Sequence, residues 1–147
     1  DPVTGHRDTA RYAAARAEAL RRLQERHGIS AIVEPYIVSR TASFQAGVAK
    51  WDGQQQVITG AKSKFAAMFS ASGQYTGQTE ALSVMLRIAD LTDRTLFDDY
   101  GGIQAVSRFE VGRFVKLPDA QLLADPALDA SSVDLSLDEL IADPRRR

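Results

Sequence analysis

Cysteine and asparagine are both missing from this chain of 147 residues, histidine occurs only twice and tryptophan once. Without cysteine there are no disulfides, no thiolate metal ligands and no thiol nucleophile. Without asparagine there is no N-glycosylation acceptor. His6 and His27 both fall in the first 27 residues, so the chain shows no metal-ligand spacing and no Ser-His-Asp order with a nucleophile elbow. His27, next to Gly28, reads instead as a cation complementing a helix C-terminus. Gly60-Ala61-Lys62-Ser63 lacks the uninterrupted Gly-Lys-Ser/Thr core of a phosphate loop. No apolar run approaches the ~20 residues that span a bilayer, and no signal-peptide pattern is visible. These absences leave a chain expected to be cytoplasmic, with no cofactor, no metal and no membrane contact. It begins at Asp1, which fits a processed terminus or a piece of a longer protein.

What is present is an ordinary globular composition, 44% hydrophobic and 25% charged, in a length for which one domain is the default. The excess of arginine over lysine, 14 to 4, together with abundant alanine, fits a bacterial or phage coding bias. The net charge of -1 conceals a strong asymmetry: residues 1–64 carry +4, whereas residues 117–144 carry seven acids and no base before Arg145–Arg147. Such asymmetry suggests a polyanion partner or an acidic tail.

The patterning predicts an α+β domain over residues 1–117, with an N-terminal helix on a small antiparallel sheet and one buried central helix. Residues 118–147 are expected to form an acidic tail with short helical turns, draped or disordered. Residues 7–27 contain good helix formers and end at Gly28, where a left-handed cap belongs. Glu18 and Arg22 form a favourable i,i+4 pair. Ala31 to Ser39 reads as a strand that Pro35 restricts to an edge or bulge. Phe44, Ala46 and Val48 alternate with Gln45, Gly47 and Ala49, Asp52-Gly53 is a hairpin turn, and Gln54 to Ile58 is the return strand. Thr76 to Leu91 reads as a helix apolar on nearly every face, hence buried in a core or a subunit interface. A short helix is expected before Tyr100, then one strand from Ile103 to Leu117 ended by Pro118. Ser136-Leu137-Asp138-Glu139 reads as a capping box opening one helical turn.

Function rests on the segment from Tyr36 to Tyr75, which holds six of the aromatics among Arg40, Lys50, Lys62 and Lys64. Rings on which bases stack, beside cations that neutralise phosphates, are what single-stranded nucleic acid requires. The expected interface is a basic-aromatic hairpin of Arg40, Phe44, Lys50 and Trp51 with Lys62 and Lys64 beside it. Trp51, next to a turn, is the ring expected to be most exposed, and Phe65 and Phe69 are expected in the core. A second reading is a non-enzymatic assembly subunit of a larger bacterial or phage complex, homo-oligomeric through helix 78–91 or the acidic tail. A third comes from Arg40, then Ser70-Ala71-Ser72, then Glu110. That order resembles the Arg, Ser-x-Ser, Glu triad of ADP-ribosyltransferase toxins, and the resemblance implies an arginine on the dinucleotide phosphates and a glutamate stabilising a positive ribose. Arg108 stands where many members carry a second Glu or Gln.

Overall fold

The computed structural model describes residues 8–59 and 75–142. Its elements are α1 (Thr9–His27), β1 (Ala31–Gln45), β2 (Val48–Trp51), β3 (Gln54–Val57), β4 (Thr76–Asp90), β5 (Thr95–Ala105), β6 (Ser107–Glu110) and β7 (Arg113–Lys116). A short 3-10 turn, Asp119–Gln121, and a C-terminal helix, α2 (Pro126–Ala142), follow. The class is α+β, with five antiparallel strands in the order β3-β2-β1-β4-β5 and a separate β6-β7 hairpin. The chain divides into two compact units, Asp1–Glu34 with Arg87–Asp98, and Pro35–Leu86 with Asp99–Arg147.

In the first unit, α1 starts where Asp8 accepts the Arg11 backbone N–H at 3.0 Å and stops at Gly28, whose φ of 66° supplies the left-handed cap. Glu18 binds both Arg21 and Arg22, as the spacing predicts. The helix is tied to β1 by charge. Arg16 pairs with Glu34 at 2.5 Å and Asp93 at 3.2 Å, and Arg87 pairs with the same two carboxylates at 3.1 Å each. Two cations facing two anions satisfy one another, and the Glu34 hydrogen bond raises the Arg16 pKa further. Leu20, Ala89 and Phe97 are the buried apolar side chains of this unit. Asp90 organises the turn before β5 by accepting from the Thr92 hydroxyl at 2.6 Å and from the Thr92 and Arg94 backbone N–H groups. These bonds, the Thr92 hydroxyl foremost, hold its carboxyl at about 2, below the ordinary 3.8.

In the second unit three hairpins close through two-residue loops. The pairs Gln45↔Val48, Trp51↔Gln54 and Glu110↔Arg113 leave Ala46-Gly47, Asp52-Gly53 and Val111-Gly112 as the turns. Both residues of each loop have positive φ, from 38° to 86°, the I′-like geometry that matches strand twist. Asp52-Gly53 is the turn predicted from sequence. The alternating run from Phe44 is instead broken at Ala46-Gly47, and the strand expected over 103–117 is split after Ala105 and folded back at Val111-Gly112.

The region read as a central helix, 76–91, is the long strand β4. Its two faces are both covered. Ala81 joins the cluster of Ala42, Phe44, Ala49, Trp51, Ile58 and Ala105, and Val84 and Leu86 pack with Ile103 under Leu128, Val133 and Leu137 of α2. A strand buried on both faces loses its period of two, so apolar residues on every side fit it as well as a buried helix. The helix expected before Tyr100 is likewise strand, part of β5. The helix 78–91 offered as a subunit contact therefore does not exist. Residues 126–142 form one 17-residue helix rather than isolated turns, begun by Pro126 at its first position with Asp125 accepting the Ala127 N–H at 3.0 Å. Ser136, read as a cap, is buried inside that helix.

Two consecutive glycines of β5 set the distances between these layers. A Cβ on Gly101 would lie 1.7 Å from the Ser132 carbonyl oxygen of α2, and one on Gly102 would lie 2.4 Å from the Gln54 Cβ and 2.7 Å from Trp51 Nε1. Adjacent strand residues face opposite ways, so β5 is gripped from both sides at one point. The Gly102 N–H donates to the Asp52 carbonyl at 2.9 Å and the Ala105 N–H to Gln56 Oε1 at 2.8 Å, which brings the β2-β3 hairpin onto β5.

Gly101→Ala forces backbone atoms apart and is expected to cost about 3 kcal/mol or more. Gly28→Ala, with open space around it, is expected to cost only about 1 kcal/mol through its positive φ. Urea denaturation compares the two, and equal losses would show that the α2 contact is not tight. The Asp90 carboxyl gives a pH signature. Its pKa is depressed in the folded state, so its contribution is complete above about pH 4 and fades as pH falls toward 2. The stability difference between wild type and Asp90→Asn should shrink over that interval, and a constant difference would refute the assignment.

Candidate functional site

Strand alternation separates the residues expected to share one interface. In the register Ser43↔Lys50 and Phe44↔Ala49, with Lys50↔Gln55 and Trp51↔Gln54, Phe44 and Trp51 turn to one face while Lys50 turns to the other. Trp51, expected to be exposed, is only 6% exposed, and its Nε1 donates to the Leu82 carbonyl at 3.1 Å. Phe44 is 3% exposed, with its ring centroid 4.7 Å from Phe109 and 5.2 Å from Phe114. Neither ring is an open stacking platform. The physical reason is core demand: the small sheet places Ala42, Ala49, Ala81 and Ala105 around these two large side chains, which supply the missing volume. Lys62, Lys64, Phe65 and Phe69, and the serine motif Ser70 to Ser72, lie outside the described residues.

Arg40 is held in place. Its Nε and Nη2 donate to the two Asp52 carboxylate oxygens at 2.9 and 3.2 Å, and its guanidinium lies 4.3 Å from the Tyr100 ring centroid. Asp52 also accepts from the Ser83 hydroxyl at 2.7 Å. The Asp52 hydrogen bond raises the Arg40 pKa, so the pair is a fixed, internally neutralised unit. The cleft beside it, about 380 Å³, is lined by Arg40, Asp52, Asp99, Tyr100, Asp138 and Glu139, with Gly53 and Leu135. Four carboxylates against one paired cation disfavour a phosphate there. Glu110, at the far end of β6, is not among the lining residues. Among the described residues no group of three or more His, Asp or Glu side chains could hold a metal ion, and no helix is long and apolar enough to cross a membrane.

A different hairpin combines exposed rings with unpaired cations. In β6-β7 the facing pairs are Ser107↔Lys116, Arg108↔Val115, Phe109↔Phe114 and Glu110↔Arg113. Phe109 and Phe114 therefore share a face, 5.2 Å apart and edge to face, and Tyr75 lies 5.3 Å from Phe109. Phe44 closes this cluster from the core side. Its outer members stay accessible, Tyr75 at 40% and Phe114 at 36%. The other face carries Arg108 and Arg113, while Lys116 flanks the rings, and all three are exposed. Arg108 donates to Gln121 Oε1 at 2.5 Å, and no ion pair engages Arg108, Arg113 or Lys116 among the described residues. Val111 at the tip is wholly exposed (102%) with φ of 48°, a conformation that a β-branched residue rarely adopts. A signal for this hairpin was in the sequence: Arg108-Phe109 and Arg113-Phe114 repeat the same dipeptide on either side of Val111-Gly112.

A second cleft, about 230 Å³, adjoins the hairpin between β3, β6 and the 3-10 turn. Its polar lining is Gln56, Thr59, Gln104, Ser107, Arg108 and Gln121. Thr59 forms a parallel bridge with Phe109, whose N–H donates to the Ile58 carbonyl at 2.8 Å, so cleft and aromatic cluster share a wall. No protein-family model matches the chain, and no curated protein and no solved structure matches it either.

Trp51 is the single tryptophan, so its burial has a direct readout. Its emission should be blue-shifted and resist iodide quenching in the folded protein, and Trp51→Phe should destabilise by about 1–3 kcal/mol through the lost Leu82 hydrogen bond and volume. Strong iodide quenching of the native protein would contradict the buried placement.

Proposed function

We propose that this chain is a non-enzymatic binding module for single-stranded nucleic acid, with the β6-β7 hairpin as the contact surface. The carrying observation is a short hairpin with the exposed Phe114 and Tyr75 rings and Lys116 on one face and Arg108 and Arg113 on the other, none of the three cations ion-paired among the described residues. Every base offers a π-face, so two accessible rings stack without requiring a sequence; Lys116 meets a phosphate on the ring face, and Arg108 and Arg113 meet phosphates where the strand passes round the narrow hairpin to its other face. Glu110 is the sole acid on the hairpin, which leaves it at +2. The acidic cleft at Arg40 shares no lining residue with this surface.

A second reading, assembly with another polypeptide, is favoured by β1. Only Ser43 to Gln45 of this 15-residue strand pair with β2, so its edge from Pro35 to Ala42 has no strand on that side among the described residues. Tyr36 and Ile37 are exposed there, at 41% and 57%. Open edges recruit partner strands.

Labelled oligothymidylate titrated at several salt concentrations tests the first reading. Neutralising three phosphates gives a log K against log salt slope of about -2, and Arg113→Ala or Lys116→Ala should each reduce it by about 0.7. Phe114→Ala should weaken binding by about 1–3 kcal/mol at unchanged slope. No binding at low salt would overturn the proposal, and a mass above one subunit by light scattering would favour assembly.

A further inference from the structure

The amide-lined cleft is more than a gap between elements, because its walls are fixed and its remaining hydrogen-bonding groups point to one kind of ligand. Gln104, only 8% exposed, clamps the 3-10 turn to β5: its Nε2 donates to the Gln121 carbonyl at 3.0 Å, and its Oε1 accepts the Leu123 N–H at 3.1 Å. Gln56 Oε1 is taken by the Ala105 N–H at 2.8 Å and Gln121 Oε1 by Arg108 at 2.5 Å. Both carboxamides are thereby oriented with the oxygen engaged and the NH₂ group left to donate. The Thr59 and Ser107 hydroxyls have no side-chain hydrogen bond among the described residues. Ile58 and Leu117 add apolar surface to the same lining. At about 230 Å³ the cleft is smaller than the ~300–1,000 Å³ of sites for drug-sized ligands, so its occupant is a single small group.

We infer that this cleft is a pocket for one nucleobase, held between apolar walls and read on its hydrogen-bonding edge by Gln56, Thr59, Ser107 and Gln121. Two oriented NH₂ donors select an edge that presents acceptors. Bases with ring carbonyls, such as uracil, thymine and guanine, meet this demand with exocyclic oxygens, whereas adenine carries an exocyclic amine that adds a donor where donors already stand. Arg108 belongs to both the cleft and the hairpin, so a base in the pocket has its phosphate beside Arg108. The base is either part of a strand or a free nucleotide. The strand source rests on the nucleic-acid reading of the hairpin, and the free source does not.

Uridine monophosphate and adenosine monophosphate, each titrated into the protein, are followed by the NMR signals of the Gln56 and Gln121 side-chain NH₂ groups. In parallel, anisotropy compares oligothymidylate with oligoadenylate for wild type, the Thr59→Val/Ser107→Ala double variant and Lys116→Ala. The uridine nucleotide should shift both NH₂ signals and the adenosine nucleotide should shift them less. Oligothymidylate should bind about tenfold more tightly than oligoadenylate. The double variant should bring that ratio close to one at unchanged salt slope, while Lys116→Ala lowers the slope and leaves the ratio alone. Shifts from mononucleotides without oligonucleotide binding assign the pocket to a free nucleotide, confirming it while the hairpin reading fails. Full oligonucleotide binding with unmoved NH₂ signals overturns the pocket and leaves the hairpin reading standing. Silence in every arm overturns both.

Discussion

The fold of the larger unit depends on the close approach of α2 and of the Trp51 and Gln54 side chains to the β5 backbone at Gly101 and Gly102. On one side of β5 the Ser132 carbonyl of α2 occupies the space a Gly101 side chain would need, and on the other Trp51 and Gln54 occupy that of Gly102. No side chain separates helix and strand at Gly101, and at Gly102 the Trp51 indole lies directly on the strand backbone. The geometry lets Trp51 reach the Leu82 carbonyl and the Asp52 carbonyl receive the Gly102 N–H. It also sets where Asp52 stands to hold Arg40. The tight contact thus fixes both the core and the acidic cleft, and it frees the β6-β7 hairpin to carry a different chemistry.

Hydroxyl groups make the helix side of that contact possible. Ser132 and Ser136 lie four residues apart on α2 and are both fully buried, yet each hydroxyl donates to a carbonyl of its own helix, Asp129 and Val133 respectively. Small side chains with their polar atoms satisfied internally let a helix press against a glycine without an unmet hydrogen bond. The apolar grip comes from either side of this stripe, where Leu128, Val133 and Leu137 meet Val84, Leu86 and Ile103. Of the acids of α2, Asp138 and Glu139 line the Arg40 cleft, whereas Asp129 keeps one buried carboxylate oxygen.

Much of the local structure was legible in the residues. Asp8, Gly28 and the helix formers between them mark α1 from both ends, and Asp52-Gly53 marks its hairpin, because these residue types have few other uses. Ala46-Gly47 and Val111-Gly112 make the same turn with first residues that disfavour it, so their positions are set by strand pairing rather than local preference. β4 was illegible for another reason: Leu82, Met85 and Leu86 are good helix formers, and burial on both faces erased the alternation that would have distinguished the strand. Asp125-Pro126 is a helix start, hidden among acids and alanines that resemble a linker. For the site, composition found rings and cations together but not their directions. Lys50 and Trp51 are adjacent in a strand, and that alone assigns them to opposite faces. The repeated Arg-Phe of 108–109 and 113–114 marks the second hairpin, where the same rule leaves Lys116 with the rings and puts both arginines on the other face.

The placement of Ser132 against Gly101 also bears on the order in which the molecule assembles. The β2-β3 and β6-β7 hairpins close over two-residue loops, between groups only a few positions apart, and such contacts form within microseconds. The helix instead meets residues some thirty positions earlier at Gly101 and about eighty earlier at Gly53, where Leu135 packs. Contacts of that separation carry a larger loop-closure cost and form late. Docking of α2 therefore follows closure of the two-residue hairpins.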